Sequence, residues 1–118
     1  MDIRFEKALA LFDAENREDP NLEAGTPREL AHARWLTEWV LRLDPEASEV
    51  LRLAARCQHI RRWEVPRSSF PADRAGYHRW RNQLKRFHAE VAGRILRECG
   101  YEEEVIERVQ ALNMKVNF

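Results

Sequence analysis

Two cysteines in 118 residues, Cys57 and Cys99, set the first limits. They lie far apart inside apolar helical patterns, and no CxxC pair exists, which excludes a zinc ribbon and a thioredoxin-type motif. Two buried reduced thiols are expected, not a disulfide. Glycine is scarce, at four residues, and forms no phosphate-cradling loop. G-x-S-x-G, HExxH and EF-hand patterns are missing as well. No apolar run approaches the roughly 18 residues of a membrane span. The N-terminal stretch, MDIRFEKALALFDAENRED, carries acids and is amphipathic, unlike a signal or transit peptide, so a cytoplasmic location is expected. Strand-like alternation, repeats and low-complexity tracts are also lacking. The fold class that remains is all-α: a single domain, residues 1–118, of about five helices, large enough to bury a core without staples.

What is present is helix punctuation. Asp2 is placed to cap a first helix with the stripe Phe5, Ala8, Leu9 and Phe12, which fades at Asn16–Pro20 into a loop, NLEAG. Thr26-Pro27-Arg28-Glu29 reads as a capping box with proline at the first helical position. It opens a second helix to about Leu43, with His32, Leu36, Trp39 and Leu43 on one inward face. Asp44-Pro45 predicts the start of a third helix that buries Val50, Leu53, Ala54, Cys57 and Ile60. Its neighbouring stripe is Arg52, Arg56, His59 and Trp63. Pro66 and Pro71 force extended backbone at Val65 and Phe70, so EVPRSSFPAD reads as a stiff irregular loop. Asp73 caps a long fourth helix to Cys99, stopped by Gly100. Tyr77, Trp80, Leu84, Phe87, Val91 and Ile95 form its expected core stripe. A fifth helix, EEEVIERVQAL, turns Val105, Val109, Leu112 and Val116 inward, with acids in the first turn as the helix dipole favours.

Charge is zero in sum but uneven in distribution. Residues 52–86 hold nine Arg and one Lys against Glu64 and Asp73, leaving ten bases and eighteen acids elsewhere. Neutrality argues against a general nucleic-acid coat protein, whereas the local cluster points to an anionic ligand. On the fourth helix Arg74, His78, Arg81, Lys85 and His88 form a row at i, i+4, i+7, i+11 and i+14. Like charges so spaced repel unless anions or acids face them. Arginine outnumbers lysine seventeen to three, and its planar fork matches phosphate. The expected phosphate ligands are Arg56, Arg61, Arg62, Arg67, Arg74, Arg81 and Lys85. His59 and His88 are the candidate catalytic acid/base groups. With His32 they are also candidate ligands for a divalent metal that would activate water against a phosphate ester. Ser68 and Ser69 carry no nucleophile signature.

Two resemblances attach to these residues. The run AARCQHIRRW–PRSSFPADRAGYHRW–LKRFHAE resembles the family catalogued as domain of unknown function 4202, with QHI..W..PR and GY..WR..LK.FHAE as its specific parts. The likeness covers the chain to about Ala111. It implies members that continue beyond Phe118, and NMKVNF departs from the charged helix expected there. More distantly, the layout resembles the HD-type metal phosphohydrolases. His32 matches the early His, LAARCQHI the second element, and FHAEVAGRILRECGY the later His helix, with His88 as the match. Gln58-His59 stands where that pattern has a His-Asp pair, and the final Asp has no counterpart.

Three readings follow. The first is an HD-like helical bundle binding a phosphorylated small molecule or nucleotide, with hydrolysis attached. The second is a non-catalytic RNA or anion module that stacks bases on Trp63, Tyr77 and Trp80, an order placing RNA below a small anion. The third is a protein-interaction domain whose arginines pair with outlying acids, with a homodimer as its natural form.

Overall fold

The computed structural model describes residues 3–115. Five helices make up most of it: α1 (Ile3–Asn16), α2 (Arg28–Leu43), α3 (Glu49–Arg56), α4 (Arg74–Glu98) and α5 (Glu103–Lys115). Asp2 and Val116, the expected first cap and last core residue, lie outside the described residues. The all-α expectation holds with one addition. Within NLEAG and beyond, β1 (Leu22–Glu23) and β2 (Thr26–Pro27) pair antiparallel, Leu22 opposite Pro27 and Glu23 opposite Thr26. Ala24 and Gly25 turn between them at φ 51° and 82°, the two left-handed positions of a type I′ hairpin turn. Among the described residues, no helix is long and apolar enough to cross a membrane.

That hairpin corrects the expected start of α2. Thr26 is held in the strand pairing, so Pro27 becomes the N-cap and no side chain of that box caps the helix. The cap comes instead from Asp19, whose Oδ2 accepts the Glu29 backbone N–H at 2.9 Å. Its Oδ1 accepts from the Asn21 backbone at 2.9 Å, which fixes the hairpin's entry. The start of α3 is corrected too. Asp44 closes a turn, accepting the Glu46 N–H at 3.1 Å, and Ser48 is the cap, accepting from Leu51 at 3.1 Å.

α4 begins and ends as its sequence indicates. Asp73 Oδ1 accepts the Gly76 N–H at 2.7 Å. A Cβ on Gly76 would lie 2.0 Å from the Pro71 carbonyl oxygen, so the loop crosses here only over glycine. At the other end Gly100 sits at φ 88°. Gly100 donates to the Arg97 carbonyl and Tyr101 to that of Leu96, the paired bonds of a Schellman stop.

α4 and α5 lie along one another, α3 packs against α2 and α5, and α1 covers α3 and α4. Phe12, Leu53, Ile60, Leu96, Ile106 and Val109 are fully buried at the centre, each contributing about 1.5–3 kcal/mol by removal from water. Cys57 and Cys99 are buried free thiols, as expected. Two predicted faces are rotated. α2 buries Glu29, Leu30, Ala33, Leu36 and Val40, which leaves Trp39 and Leu43 exposed. On α4, Trp80 and Leu84 are buried but Tyr77 is exposed. α3 also ends before His59. After Arg56 the chain turns, with Arg61 at φ 54°, so Arg52, Arg56, His59 and Trp63 are not one helical stripe.

Candidate functional site: a glutamate and three histidines under a cationic cleft

The early turn on α2, the turn after α3 and the middle of α4 converge. Glu29 and His32 stand three residues apart on α2, hence on one face. One ligand atom from each of Glu29, His32 and His59 lies within 4.8 Å of the others. The His32 and His59 ring centres are 5.2 Å apart, and those of His59 and His88 are 6.0 Å apart. The three predicted histidines therefore form a single row. Glu29, read from sequence as a capping-box acid, is the carboxylate beside them. The N-cap residue, Pro27, has no backbone N–H, so the Glu29 side chain is not drawn back into a capping box.

The electrostatics are unusual for a small surface cleft. Glu29 is only 7% exposed and its Oε1 has no hydrogen-bond partner. Burial raises its pKa above the ordinary carboxylate range, against the opposing pull of Arg62. Burial pushes His59 down to about 3, assisted by the neighbouring His88 and Arg62. Burial likewise lowers His88 to about 4, against the favourable bond to Ile60. His88 Nδ1 lies 2.8 Å from the Ile60 carbonyl oxygen. A carbonyl only accepts, so Nδ1 carries the hydrogen and Nε2 keeps its lone pair. That Nε2 is buried without a partner. Imidazoles that burial keeps neutral, beside a carboxylate whose buried Oε1 lacks a donor, are the donor set that a divalent cation takes.

Basic residues surround this set, but not all those expected from sequence. Arg62 borders both an inner cavity of about 20 Å³, which it shares with His59, His88, Arg81 and Lys85, and an open cleft of about 280 Å³. The inner cavity is large enough for one water molecule. The open cleft is lined by Arg28, Glu29, Arg62 and Arg67 with Trp63 and Trp80. Arg62 forms no salt bridge among the described residues, and its guanidinium lies 5.4 Å from the centre of the Trp80 ring. Arg67 contributes charge, but its N–H groups are directed at the Phe70, Pro71 and Asp73 carbonyls. Trp80 Nε1 donates to the Val65 carbonyl at 2.7 Å, which ties this loop to α4.

Three predicted ligands are placed elsewhere. Arg56 is committed to Asp13, bonding both carboxylate oxygens at 2.9 and 3.2 Å, and also reaches Thr37. Arg61 pairs with Glu15 and Glu18, at 2.6 and 2.8 Å, and with Glu64. Arg74 is exposed at the start of α4 and borders neither cavity. These pairings match the third reading for part of the arginine set. Of the three rings in the RNA reading, Trp80 is buried, Trp63 is half-buried with the Arg61 guanidinium 5.0 Å from its ring centre, and Tyr77 is exposed.

Sequence reasoning missed Glu29, Arg28 and Asn113. Asn113 is buried on α5 with Nδ2 3.5 Å from Gln58 Oε1, and both line the inner cavity. The available signal for Glu29 was Glu-x-x-His, an i,i+3 pair that helical bundles use to hold metals in their interiors. Fold and site together define a small helical protein with a candidate metal centre beneath a cationic cleft. The chain belongs to the family described as domain of unknown function (DUF4202), whose pattern matches residues 6–118. Comparison with curated proteins and with solved structures returns no match.

Proposed function

We propose that this chain binds a divalent metal through Glu29, His32 and His59 and hydrolyses a phosphate ester of a small molecule held in the adjoining cleft. The observation that carries this reading is the Glu29 carboxylate. The residue is buried, its Oε1 lacks a donor, and a carboxylate oxygen lies within 4.8 Å of ligand atoms of two histidines. An isolated buried carboxylate is costly, and a coordinated cation is one of the few ways to offset that cost. The nearness of His32, His59 and His88 supports this reading, and Glu29 supplies a carboxylate that the Gln58-His59 pair lacks.

A bound divalent cation supplies Lewis acidity toward the phosphoryl oxygens and the attacking water. The chain's own groups do the rest. Arg62 and Arg28, which line the cleft with Glu29, present guanidinium donors to the phosphate dianion and neutralise charge that builds on its oxygens. Arg67 adds positive potential from the loop. His88 acts mainly by orientation, since a group lowered to about 4 is a weak base at neutral pH. Its Nε2 accepts a hydrogen bond from water in the inner cavity, and Ile60 fixes the ring. Lys85 and Arg81 keep that cavity positive.

The test is phosphate release from a panel of phosphomonoesters with Mn²⁺ or Zn²⁺ added. Activity that is metal-dependent and lost in both Glu29→Gln and His59→Ala supports the reading. A panel left intact under every metal condition refutes the hydrolytic step.

A further inference from the structure

Among the described residues Trp35, like Trp39 and Tyr77, is an exposed aromatic that the hydrophobic core does not explain, and it is the most exposed of the three. It is 53% exposed on α2, one turn beyond His32. Its ring meets His32 edge-on at 5.8 Å and Trp39 at 6.0 Å. With Glu23, Arg28, Ala31 and His32 it borders an open cleft of about 520 Å³, within the range of about 300–1,000 Å³ that ligand pockets occupy. This cleft shares Arg28 with the cationic cleft. Glu29 borders one and His32 the other, so the candidate metal ligands lie at their junction. A ligand with its phosphate on Arg28 and Arg62 therefore extends its remaining part past His32 onto the Trp35 face.

From this juxtaposition we propose that the substrate is a nucleoside 5′-monophosphate, its base stacked on Trp35 and its ribose hydroxyls hydrogen-bonded to Glu23. The chemistry of each group fits. Trp35 offers a large flat π-face beside open space, the platform on which any nucleobase stacks. Glu23 is an exposed carboxylate in β1, an acceptor suited to a diol and unsuited to a phosphate. The cleft is thus divided, cationic where the phosphate sits and aromatic with one acid where the nucleoside sits. Trp35 is a specificity-determining residue in this account and touches no reacting atom. The proposal rests on the phosphate reading of the Arg28–Arg62 cleft.

The experiment is calorimetric titration of Mn²⁺-supplemented protein with the non-hydrolysable phosphonate analogues of AMP and of ribose 5-phosphate. The AMP analogue should bind about tenfold more tightly, the scale of one base stacked on an aromatic side chain. Trp35→Ala should abolish that ratio by weakening the AMP analogue alone, Trp35→Phe should retain part of it, and Trp39→Ala should leave it intact. Equal affinity for the two analogues in the native protein, or a ratio unchanged in Trp35→Ala, overturns the nucleotide assignment and leaves the phosphate reading standing. Failure of both analogues to bind overturns the two together.

Discussion

Asp19 accepts the backbone N–H of Glu29 at 2.9 Å from ten residues upstream. That bond joins the loop after α1 to the first turn of α2, and it anchors the backbone from which the Glu29 carboxylate projects. Replacing a capping acid by alanine costs about 0.5–2 kcal/mol. Asp19→Ala is therefore expected to lower unfolding stability by that amount in denaturant titrations. It is also expected to weaken metal uptake about tenfold, the lower end of what loss of an orienting partner does. A cap lost with metal affinity unchanged would separate Asp19 from the site.

The pair Asp13–Arg56 gives a prediction of the opposite kind. Both side chains are largely buried, with 12% and 15% left exposed, and breaking a buried pair from one side costs about 3–5 kcal/mol. Arg56→Ala should destabilise the fold on that scale and leave phosphate affinity of the surviving native protein unaltered. A stable Arg56→Ala protein with weakened phosphate binding would instead restore Arg56 to the ligand site.

Acidification acts through the buried imidazoles. In the unfolded chain His59 and His88 titrate near 6.5, whereas in the folded protein burial holds them at about 3 and about 4. Above pH 6.5 both states are neutral and the two histidines contribute nothing to the pH dependence. Below it the unfolded chain takes up protons that the native state refuses, so stability falls from pH 6.5 toward 4. Glu29, raised by its own burial, works in the other direction as it becomes protonated. Two imidazoles outweigh one carboxyl, and metal-free protein in EDTA should lose thermal stability across this window. His88→Gln should flatten the slope. A melting temperature constant from pH 6.5 to 4 would contradict the assigned burial.

The sequence carried the helices further than it carried the site. Asp73, Gly100 and the proline-stiffened loop are local signals, each satisfied by atoms a few residues away, and all three proved readable. The caps of α2 and α3 were misplaced because competing partners won. Thr26 is held by Glu23 across a hairpin turn that depends on Ala24 adopting φ 51°, which no propensity favours. Ser48, further along, displaces Asp44. Among the arginines, clustering in sequence did not separate Arg62, which borders both cavities, from Arg61 beside it, which is held by acids of α1. That distinction depends on Arg61 taking a left-handed backbone, with its N–H bonded to Asn16 Oδ1 at 3.1 Å. The three histidines were legible as a group because each falls in a helical stripe of the sequence: His32 opens the inward face read on α2, His59 follows Arg52 and Arg56, and His88 closes the cationic row of α4. Glu29 was hidden because a glutamate three residues after a threonine has a commonplace helical use.

Metal binding by calorimetry and elemental analysis is the most direct test of the central claim. EDTA-treated protein titrated with Zn²⁺ or Mn²⁺ should take up one ion per chain. Glu29→Gln and His59→Ala should each weaken that uptake at least about tenfold, with the fold retained by circular dichroism. His78→Ala, on the exposed side of α4, should bind like the native chain. A protein that takes up no divalent ion, or binds one equally well without the Glu29 carboxylate, would contradict the account.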